Sequence, residues 1–422
     1  MNTSRPRVVV VGAGFGGLYA AKALVGKPLD VLVIDRNNYH TFAPLLYQVA
    51  TSGLEPEEIA APVRSIIRRG GNVSYLMGEV TRVNAEEQCV YVRQDGAEQP
   101  QRYDYLILAP GSVTSFFGLA DVQAHAFGLK SLKEAIRLRN HVLSMFERAA
   151  GEPDEARRAA LLTFVIVGGG PTGLELSGAL SELFQQVLRK DYPKLDVRKE
   201  ARVILIEATD RLLAPFPEPL QRSARRQVER IGVEVMLNKT VAQATDEAVV
   251  LKDGTVIPTH TIIWAAGVQA AELAGLDGIA ERTRGRRVRV LPTLQLPNHP
   301  NVFVIGDAAY LADEKGAAYP QLAPVAMQMG RLAAANILAL IEGKPLKPFH
   351  YSDRGIMATI GRSAAVAWVF NRIQLSGFIA WLAWLGLHLL YLIGFRNRAN
   401  VLVNWAWNWW TWERGVRIIL GR

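Results

Sequence analysis

Two glycine-rich loops with the same G-x-G-x-x-G spacing stand about 156 positions apart, each after an apolar β-forming run and before a helical pattern. In this pattern the first glycine makes a tight turn, the second lets the backbone approach a pyrophosphate, and the third lets the helix pack on the strand. The anion lies at the helix N-terminus, where free N–H groups and the helix dipole favour it. Two such loops predict two dinucleotides bound side by side, an arrangement that passes electrons between them. The glycines are Gly12, Gly14 and Gly17 in the first loop and Gly168, Gly170 and Gly173 in the second.

An acidic residue closes the strand that follows each loop. Asp35 ends the predicted strand 30–34, about where a ribose-binding acid belongs, although a surface aspartate beside a structural turn would look the same. Glu207 ends the predicted strand 203–206. An acid accepts a hydrogen bond from a ribose 2′-OH and repels a 2′-phosphate, so the second loop favours NADH over NADPH, and the nearby Arg211 weakens that preference slightly.

Two further acids invite a functional and a structural interpretation. Asp307 follows the predicted strand 302–305 and could hold a flavin ribityl hydroxyl, or it could cap the next segment as an N-cap residue. Glu175 lies in the first turn after Gly173, where an acid commonly serves only the helix dipole. Because that turn faces the predicted pyrophosphate, Glu175 is also a candidate for the redox site.

The elements that must position these residues form an α/β protein, with one nucleotide-binding unit interrupted by another. We predict strands over 7–11 and 262–264, helices over 16–26, 131–150 and 322–341, and a helix after Gly173 that extends through Leu188. Short alternating runs in 73–108 predict a small antiparallel insert. The predicted domains are 1–115 with 298–345, then 116–297, then a C-terminal segment 346–422.

The composition of the C-terminal segment differs from the rest of the chain. The formal net charge of the 422 residues is +9, and residues 346–422 hold nine Lys/Arg against two acids. Eight of the nine tryptophans also lie there, from Trp368 onward. Basic, Trp-rich and apolar composition predicts a membrane interface formed by residues 370–422 and not nucleic-acid binding.

Residues 375–395 carry no formal charge and are long enough to cross a bilayer. With a cytoplasmic body, a single crossing would put the later arginines outside, against the positive-inside rule. We therefore favour an interfacial helix, while a true span and a buried subunit interface stay open as alternatives. The arginines concerned are Arg396, Arg398, Arg414, Arg417 and Arg422.

Cysteine and histidine usage excludes two classes of chemistry. Cys89 is the only cysteine, so no disulfide within the chain and no dithiol chemistry is expected. The seven histidines are scattered without metal-site spacing, so no metal site is predicted.

The first strand begins almost at the N-terminus, leaving no room for a signal peptide, and we expect a cytoplasmic location at the inner face of the cell membrane.

The chain resembles the type II NADH dehydrogenases, the single-subunit NADH:quinone oxidoreductases of respiratory membranes. The resemblance rests on the first loop with Asp35, the stretch 38–50, the run 108–112 and the second loop with Glu175. It extends to Gly306-Asp307-Ala308, to 323–328 and to the tail pattern 393–398. It implies two Rossmann-like domains of the flavoprotein disulfide-reductase type and a C-terminal helical membrane-associating segment. In the family motif a glutamine usually follows Ala323, but here Pro324 takes that place, which leaves Gln328 or the backbone to contact a quinone.

The resemblance also implies cofactors and site residues. FAD would bind on the first loop and NADH on the second, with their rings meeting between the domains, while Glu175 and Gln328 would act at the redox and quinone sites. The other implied FAD residues are Asp35, Arg36, Val80, Ala109, Gly111, Asp307 and Ala323, and the other implied NADH residues are Glu207 and Gly267.

The expected reaction is hydride transfer from NADH to FAD and two-electron reduction of ubiquinone or menaquinone, without proton pumping. A homodimer is expected from the resemblance. Sulfide:quinone oxidoreductases are excluded because they need a cysteine pair. Two alternatives stay open at this point: a soluble flavin reductase with a protein or oxygen acceptor, and a membrane-attached flavin redox sensor.

Overall fold

The computed structural model describes residues 5–68 and 71–419. The chain forms two compact units, each assembled from three stretches of sequence. Unit 1 comprises residues 1–41, 61–113 and 268–352, and unit 2 comprises residues 42–60, 114–267 and 353–422. These divisions differ from the predicted domain boundaries, since 268–297 falls in unit 1, and 42–60 falls in unit 2. The assignment of one nucleotide to each domain stays a prediction.

A six-stranded sheet forms the core of unit 1. Its two central strands are runs of branched apolar residues that are buried on both faces, as parallel strands covered by helices require. All neighbouring strands pair in parallel except the first two, which are antiparallel. In spatial order the strands are Gln295–Leu296, His299–Val304, Tyr105–Leu108, Arg7–Val11, Asp30–Asp35 and Val73–Met77.

Two helices pack against each other in unit 1, Phe15–Ala23 and Ala323–Ile341. Their backbones approach so closely that a Cβ on Gly330 would lie 2.2 Å from the carbonyl oxygen of Gly16. By length and composition, Ala323–Ile341 is the one helix among the described residues that could cross a membrane, but half of its apolar window is buried in the fold. It therefore serves here as a core helix. Other elements of unit 1 are Tyr39–Thr41, Val63–Ile67, Val268–Ala270, Val288–Arg289, Gly306–Ala308 and Ala309–Tyr310.

Unit 2 contains a four-stranded parallel sheet in the order Val233–Met236, Arg202–Ile206, Thr163–Val167 and Thr261–Trp264. The helix Leu132–Ala150 starts at Ser131, whose hydroxyl and Glu134 form a reciprocal capping box. The helix predicted after Gly173 is α-helical over Pro171–Glu182 and continues as a π-helix over Leu183–Leu188. Other elements of unit 2 are Leu46–Ala50, Pro56–Ile59, Ala120–His125, Glu155–Leu161, Val197–Glu200, Glu218–Arg230, and the antiparallel strands Val241–Ala244, Ala248–Leu251 and Val256–Pro258.

The C-terminal segment does not form one long helix. Strands Gly355–Thr359, Ala365–Val369 and Ile373–Ser376 make an antiparallel sheet, and two helices follow, Phe378–Tyr391 and Phe395–Thr411. Gly377 and Gly394 have φ values of 72° and 95°, which only glycine adopts readily, and they separate these elements. A helix of 14 residues reaches about 21 Å, short of the roughly 30 Å apolar core of a bilayer, so the alternative of a span over 375–395 is wrong for this helix.

Two smaller predictions also need correction. The first helix ends at Ala23 and not at residue 26, because the chain turns through Gly26 at φ 73° into the next strand. The antiparallel insert of 73–108 is confined to Glu79–Asn84, Cys89–Gln94 and Ala97–Arg102. Val73–Met77 instead pairs in parallel with Asp30–Asp35 at the edge of the main sheet.

Candidate functional site

The first loop has the backbone geometry that a dinucleotide cradle requires. Gly12 has φ 99°, and a Cβ there would lie 2.2 Å from the carbonyl oxygen of Ala109. A Cβ on Gly17 would lie 1.9 Å from the carbonyl oxygen of Gly12, so the helix packs tightly on the strand. At Gly14 a Cβ would meet no described atom within 4 Å, and no side chain caps this helix start. The open position and the uncapped N–H groups fit the approach of a pyrophosphate.

The second loop repeats this geometry in unit 2. Gly168 has φ 113°, and a Cβ there would lie 2.6 Å from the Cα of Ala266. A Cβ on Gly173 would lie 1.9 Å from the carbonyl oxygen of Gly168, whereas a Cβ on Gly170 would meet no described atom within 4 Å. Each unit thus carries one preformed cradle of the same design.

The strand-ending acids hold their loops in the same way. Ala13 N–H donates to Asp35 Oδ2 at 2.7 Å, and Gly169 N–H donates to Glu207 Oε2 at 2.6 Å. The other oxygen of each carboxylate also accepts hydrogen bonds. Asn37 N–H donates to Asp35 Oδ1, and the main-chain N–H and hydroxyl of Thr209 donate to Glu207 Oε1. Both carboxylates are therefore fixed at the loop, where a ribose contact is predicted.

Asp307 is not an N-cap residue. It lies inside the short helix Gly306–Ala308, which starts from Ile305, and Ser112 Oγ donates to Asp307 Oδ2 at 2.6 Å. Gln321 Nε2 donates to the Asp307 carbonyl at 2.9 Å. The carboxylate is therefore oriented by neighbours, which keeps its predicted flavin contact open and removes the capping interpretation.

Each predicted group of cofactor residues lies within one unit. The residues predicted for FAD are all in unit 1: the first loop with Asp35, Arg36, Val80, Ala109, Gly111, Asp307 and Ala323. Those predicted for NADH are all in unit 2: the second loop with Glu207 and Gly267. Within residues 5–68 and 71–419 there is no cluster of three or more His, Cys, Asp or Glu side chains that could hold a metal ion.

The side-chain amide of Gln328 makes two hydrogen bonds with the main chain of unit 1. Its Nε2 donates to the Ser352 carbonyl at 3.0 Å, and Ser352 N–H donates to its Oε1 at 2.9 Å. One N–H and one lone pair of the amide stay available for a quinone. Pro324 lies in the first turn of Ala323–Ile341, where a missing N–H costs nothing, so this departure from the family motif is compatible with the helix.

Glu175 is enclosed in unit 2. Only 9% of its surface is exposed, and Thr359 N–H donates to its Oε1 at 3.3 Å. Burial raises the pKa of this carboxyl to about 8, against smaller opposing effects of Thr359 and the Trp384 indole. A carboxyl whose pKa is raised in this way is suited to general acid work, and Glu175 is the candidate for it in unit 2.

A cavity of about 110 Å³ lies beside this helix, entirely within unit 2. Its wall combines tryptophans of the two C-terminal helices with polar groups, among them Gln48, Glu182 and Arg414. Glu182 and Arg414 form a buried ion pair, Nη2 to Oε2 at 3.6 Å, and Arg414 Nη1 also donates to the Thr51 and Ala179 carbonyls. The aromatic members of the wall are Tyr47, Trp381, Trp384, Trp405, Trp409 and Trp412.

The helix Phe395–Thr411 has an inverted amphipathicity: its polar face packs on the protein and its apolar face is exposed. Asn397, Asn404 and Asn408 lie on one face with buried Val401, and the three amides donate to the segment 53–60. The other face carries large exposed apolar side chains: Leu402, Val403, Trp407 and Trp410, of which Trp410 is 82% exposed. The neighbouring helix exposes Phe378, Ile379, Leu382, Leu387 and Leu390. We call these exposed side chains of the two helices the apolar tail surface.

Sequence reasoning missed several residues of this region. The Glu182–Arg414 pair joins positions 232 apart, and no local spacing signals such a contact. Ser112 stood next to Gly111 in a recognised turn, but its role became visible only when Asp307 was placed beside it. The asparagines of the last helix did carry a signal, because their spacing repeats at helical period.

Comparison with known proteins agrees with this geometry. Residues 6–330 match the family model described as pyridine nucleotide-disulphide oxidoreductase. The chain is 41% identical to the type II NADH:quinone oxidoreductase Ndh of Mycobacterium tuberculosis over 97% of this chain and 89% of that protein. It is 30% identical to the type II NADH:quinone oxidoreductase of Haemophilus influenzae over 91% of this chain and 93% of that protein.

Solved structures support the fold. NDH2 from Plasmodium falciparum in complex with NADH superimposes with a TM-score of 0.91 at 19% identity, covering 99% of this chain and 100% of that one. The sulfide:quinone oxidoreductase of Aquifex aeolicus gives 0.69 at 18% identity, covering 93% and 92%. The predicted fold class, FAD and NADH as cofactors, and NADH:quinone oxidoreduction are confirmed. The chain belongs to the type II NADH:quinone oxidoreductases.

Proposed function

We propose that this oxidoreductase works as a monotopic enzyme that takes its quinone from lipid through the tail of unit 2, without pumping protons. The observation that carries the proposal is the inverted amphipathicity of Phe395–Thr411. A soluble helix turns its apolar face inward, whereas this one turns asparagines inward and Trp407 and Trp410 outward. An exposed apolar helix face on a basic segment is typical of a helix lying in a membrane interface.

The two cradles would each bind one of the two nucleotides. We assign the first loop with Asp35 and Asp307 to FAD, and the second loop with Glu207 to NADH. When bound, FAD accepts a hydride from NADH and passes two electrons to the quinone. The chain itself orients the nucleotides through fixed carboxylates and helix N-termini, and it supplies polar groups for the quinone.

For the quinone we propose one contact in unit 2. Glu175 serves as the proton donor, because burial raises the pKa of its carboxyl to about 8. The role of Gln328 at the quinone stays a prediction. The cavity with its tryptophan wall is the proposed path of the headgroup, since flat aromatic rings stack on a planar quinone. The cytoplasmic face as the location, and a homodimer as the assembly, stay predictions.

The experiment that tests this proposal removes three side chains of the apolar tail surface without touching the interior. In Leu402→Ser/Trp407→Ser/Trp410→Ser, we expect the protein to keep its FAD and its NADH:ferricyanide activity. Binding to phospholipid vesicles should fall about tenfold or more, because the exposed apolar surface of these three side chains would no longer be buried in lipid. Reduction of a long-chain quinone in the vesicles should fall in parallel.

A matched control removes exposed apolar side chains elsewhere, in Met77→Ser/Val256→Ser/Leu291→Ser. This variant should bind vesicles like the unmodified protein. Unchanged vesicle binding of the tail variant would refute attachment through these helices, and equal losses with a water-soluble quinone would argue against entry from lipid.

A further inference from the structure

Phe117 of unit 2 lies in a tight turn that disfavours its own side chain. Leu119 N–H donates to the Phe116 carbonyl at 3.0 Å, and the two central residues, Phe117 and Gly118, have φ values of 53° and 81°. Glycine, asparagine and aspartate normally form a turn with positive φ at both central positions, because a bulky side chain crowds the backbone there. Local turn chemistry alone would therefore place asparagine or glycine at position 117.

The ring of Phe117 is also exposed to solvent. Its neighbour Phe116 packs against the buried cluster around Trp264, whereas Phe117 is 66% exposed. Two hydrogen bonds fix the turn: Ser115 N–H donates to the Gly267 carbonyl at 3.1 Å, and Trp264 Nε1 donates to the Ser115 carbonyl at 2.8 Å. A single exposed aromatic ring is common, but strained backbone that is held by its surroundings is concentrated at ligand sites.

The strand order of unit 2 indicates which end of a dinucleotide would reach this turn. Thr163–Val167, which leads into the second loop, lies between Arg202–Ile206 and Thr261–Trp264, and the three strands are parallel. Nucleotides bind across the carboxyl ends of such strands. Glu207, the predicted ribose contact, follows Arg202–Ile206 on one side of the loop. With the adenosine ribose there and the pyrophosphate at the loop, the nicotinamide half extends over the end of Thr261–Trp264.

Phe117 lies at the end of that strand. A Cβ on Gly168 of the second loop would lie 2.6 Å from the Cα of Ala266, so residues 265–267 border the cradle. A Cβ on Gly267 would lie 2.8 Å from the Cζ atom of Phe117, so this glycine leaves room for the ring. The contacts are therefore continuous from the cradle to Phe117. Flat aromatic groups pack favourably on one another, and nicotinamide is such a group.

We propose that the Phe117 ring packs against the nicotinamide of the bound dinucleotide and forms a contact that the ADP-ribose portion alone does not make. The fixed turn holds the ring in place before the nucleotide arrives, so binding does not have to order it. The nucleotide then covers part of the exposed ring. The inference rests on the proposed assignment of NADH to the second loop.

The test uses Phe117→Asn, because asparagine suits the turn and removes the ring. Isothermal titration calorimetry on the FAD-loaded protein compares NAD⁺, which does not reduce the flavin, with ADP-ribose, which lacks the nicotinamide. We expect the Kd for NAD⁺ and the KM for NADH to rise about tenfold, while the Kd for ADP-ribose is unchanged. The Tm should not fall, because asparagine relieves the strained backbone.

Two further variants serve as controls. Phe117→Tyr keeps the aromatic ring and should bind NAD⁺ like the unmodified protein. Val256→Asn makes the same replacement at another exposed apolar position of unit 2 and should change the Kd of neither ligand.

The outcomes separate a nicotinamide contact from a structural role and from the underlying proposal. Equal weakening of NAD⁺ and ADP-ribose, or a lower Tm, would mean that the ring supports the fold, and the inference would be refuted. Unchanged binding of NAD⁺ would also refute it. Gly170→Ala judges the assignment of the loop, since it should weaken both ligands. If it weakens neither, that assignment fails; if it weakens both while Phe117→Asn weakens neither, only the role of Phe117 fails.

Discussion

A buried acid such as Glu175 makes stability depend on pH in a defined direction. Its pKa is about 8 in the folded protein, against the ordinary 4.5 of an exposed glutamate. Between those values the unfolded chain loses the proton that the folded protein keeps. The contribution of Glu175 to stability is therefore greatest below pH 4.5 and declines as pH rises, by about 1.4 kcal/mol per pH unit up to the folded pKa.

We predict that Glu175→Gln removes this decline. The carboxamide has the same shape and stays neutral, so the Tm of the variant should rise relative to the unmodified protein as pH goes from 6 to 9. Differential scanning calorimetry on the FAD-loaded protein measures the difference. Glu86→Gln, at an exposed position, should show no such trend. A constant difference in Tm across this range would show that the Glu175 carboxyl ionises normally in the folded state.

At the scale of the element, the strand–loop–helix of the second cradle contains one glycine that packing requires and another that only the nucleotide requires. In Gly173→Ala the new Cβ would lie 1.9 Å from the Gly168 carbonyl, and backbone must shift to admit it. In Gly170→Ala the Cβ enters open space with an allowed φ of −73°, so the fold is undisturbed. The open space is where the predicted pyrophosphate approaches.

We therefore expect opposite phenotypes from two alanine substitutions three residues apart. Gly173→Ala should lower the Tm by several degrees, because overpacking typically costs about 1–3 kcal/mol. Gly170→Ala should keep its Tm and its FAD but raise the KM for NADH about tenfold or more. Thermal unfolding and steady-state kinetics measure both. An unchanged KM in Gly170→Ala would contradict the assignment of this loop to NADH.

The same elements show how far sequence reasoning reaches. The strands Arg7–Val11 and Thr163–Val167 could be predicted almost to the residue, because a fully buried strand is a continuous apolar run. Val73–Met77 alternates in polarity like the insert behind it, and only pairing with Asp30–Asp35 assigns it to the main sheet. Residues 375–395 looked like one helix because hydropathy does not register the positive φ of Gly377 and Gly394. The cradles were predictable because their chemistry is local, whereas the cavity depends on contacts such as Gln48–Trp405 that join distant positions.

At the scale of the whole molecule, charge and apolar surface are concentrated in the same segment. Most of the net charge of +9 lies in residues 346–422, and exposed Arg372 and Arg396 adjoin exposed apolar residues such as Ile373 and Phe395. Apolar burial in lipid is insensitive to salt, whereas attraction between arginine and anionic headgroups is screened beyond about 10 Å at 0.1 M salt. Each basic residue near an anionic membrane surface adds about 1 kcal/mol to the free energy of membrane binding. The two contributions can therefore be separated by varying salt and lipid charge.

We predict that the protein binds phosphatidylglycerol vesicles more tightly than phosphatidylcholine vesicles at low salt, and that the difference disappears at high salt while binding to both persists. In Arg372→Gln/Arg396→Gln the preference for anionic vesicles should shrink by about 2 kcal/mol, or roughly thirtyfold in Kd, because two arginines no longer contribute. Lys130→Gln/Lys133→Gln, which changes the same charge at exposed positions outside the C-terminal segment, is the matched control in vesicle sedimentation. If both double variants lose the preference equally, net charge and not the orientation of the tail determines the attraction. Complete release from both vesicle types at high salt would contradict the contribution of the apolar tail surface, because that contribution does not depend on ions.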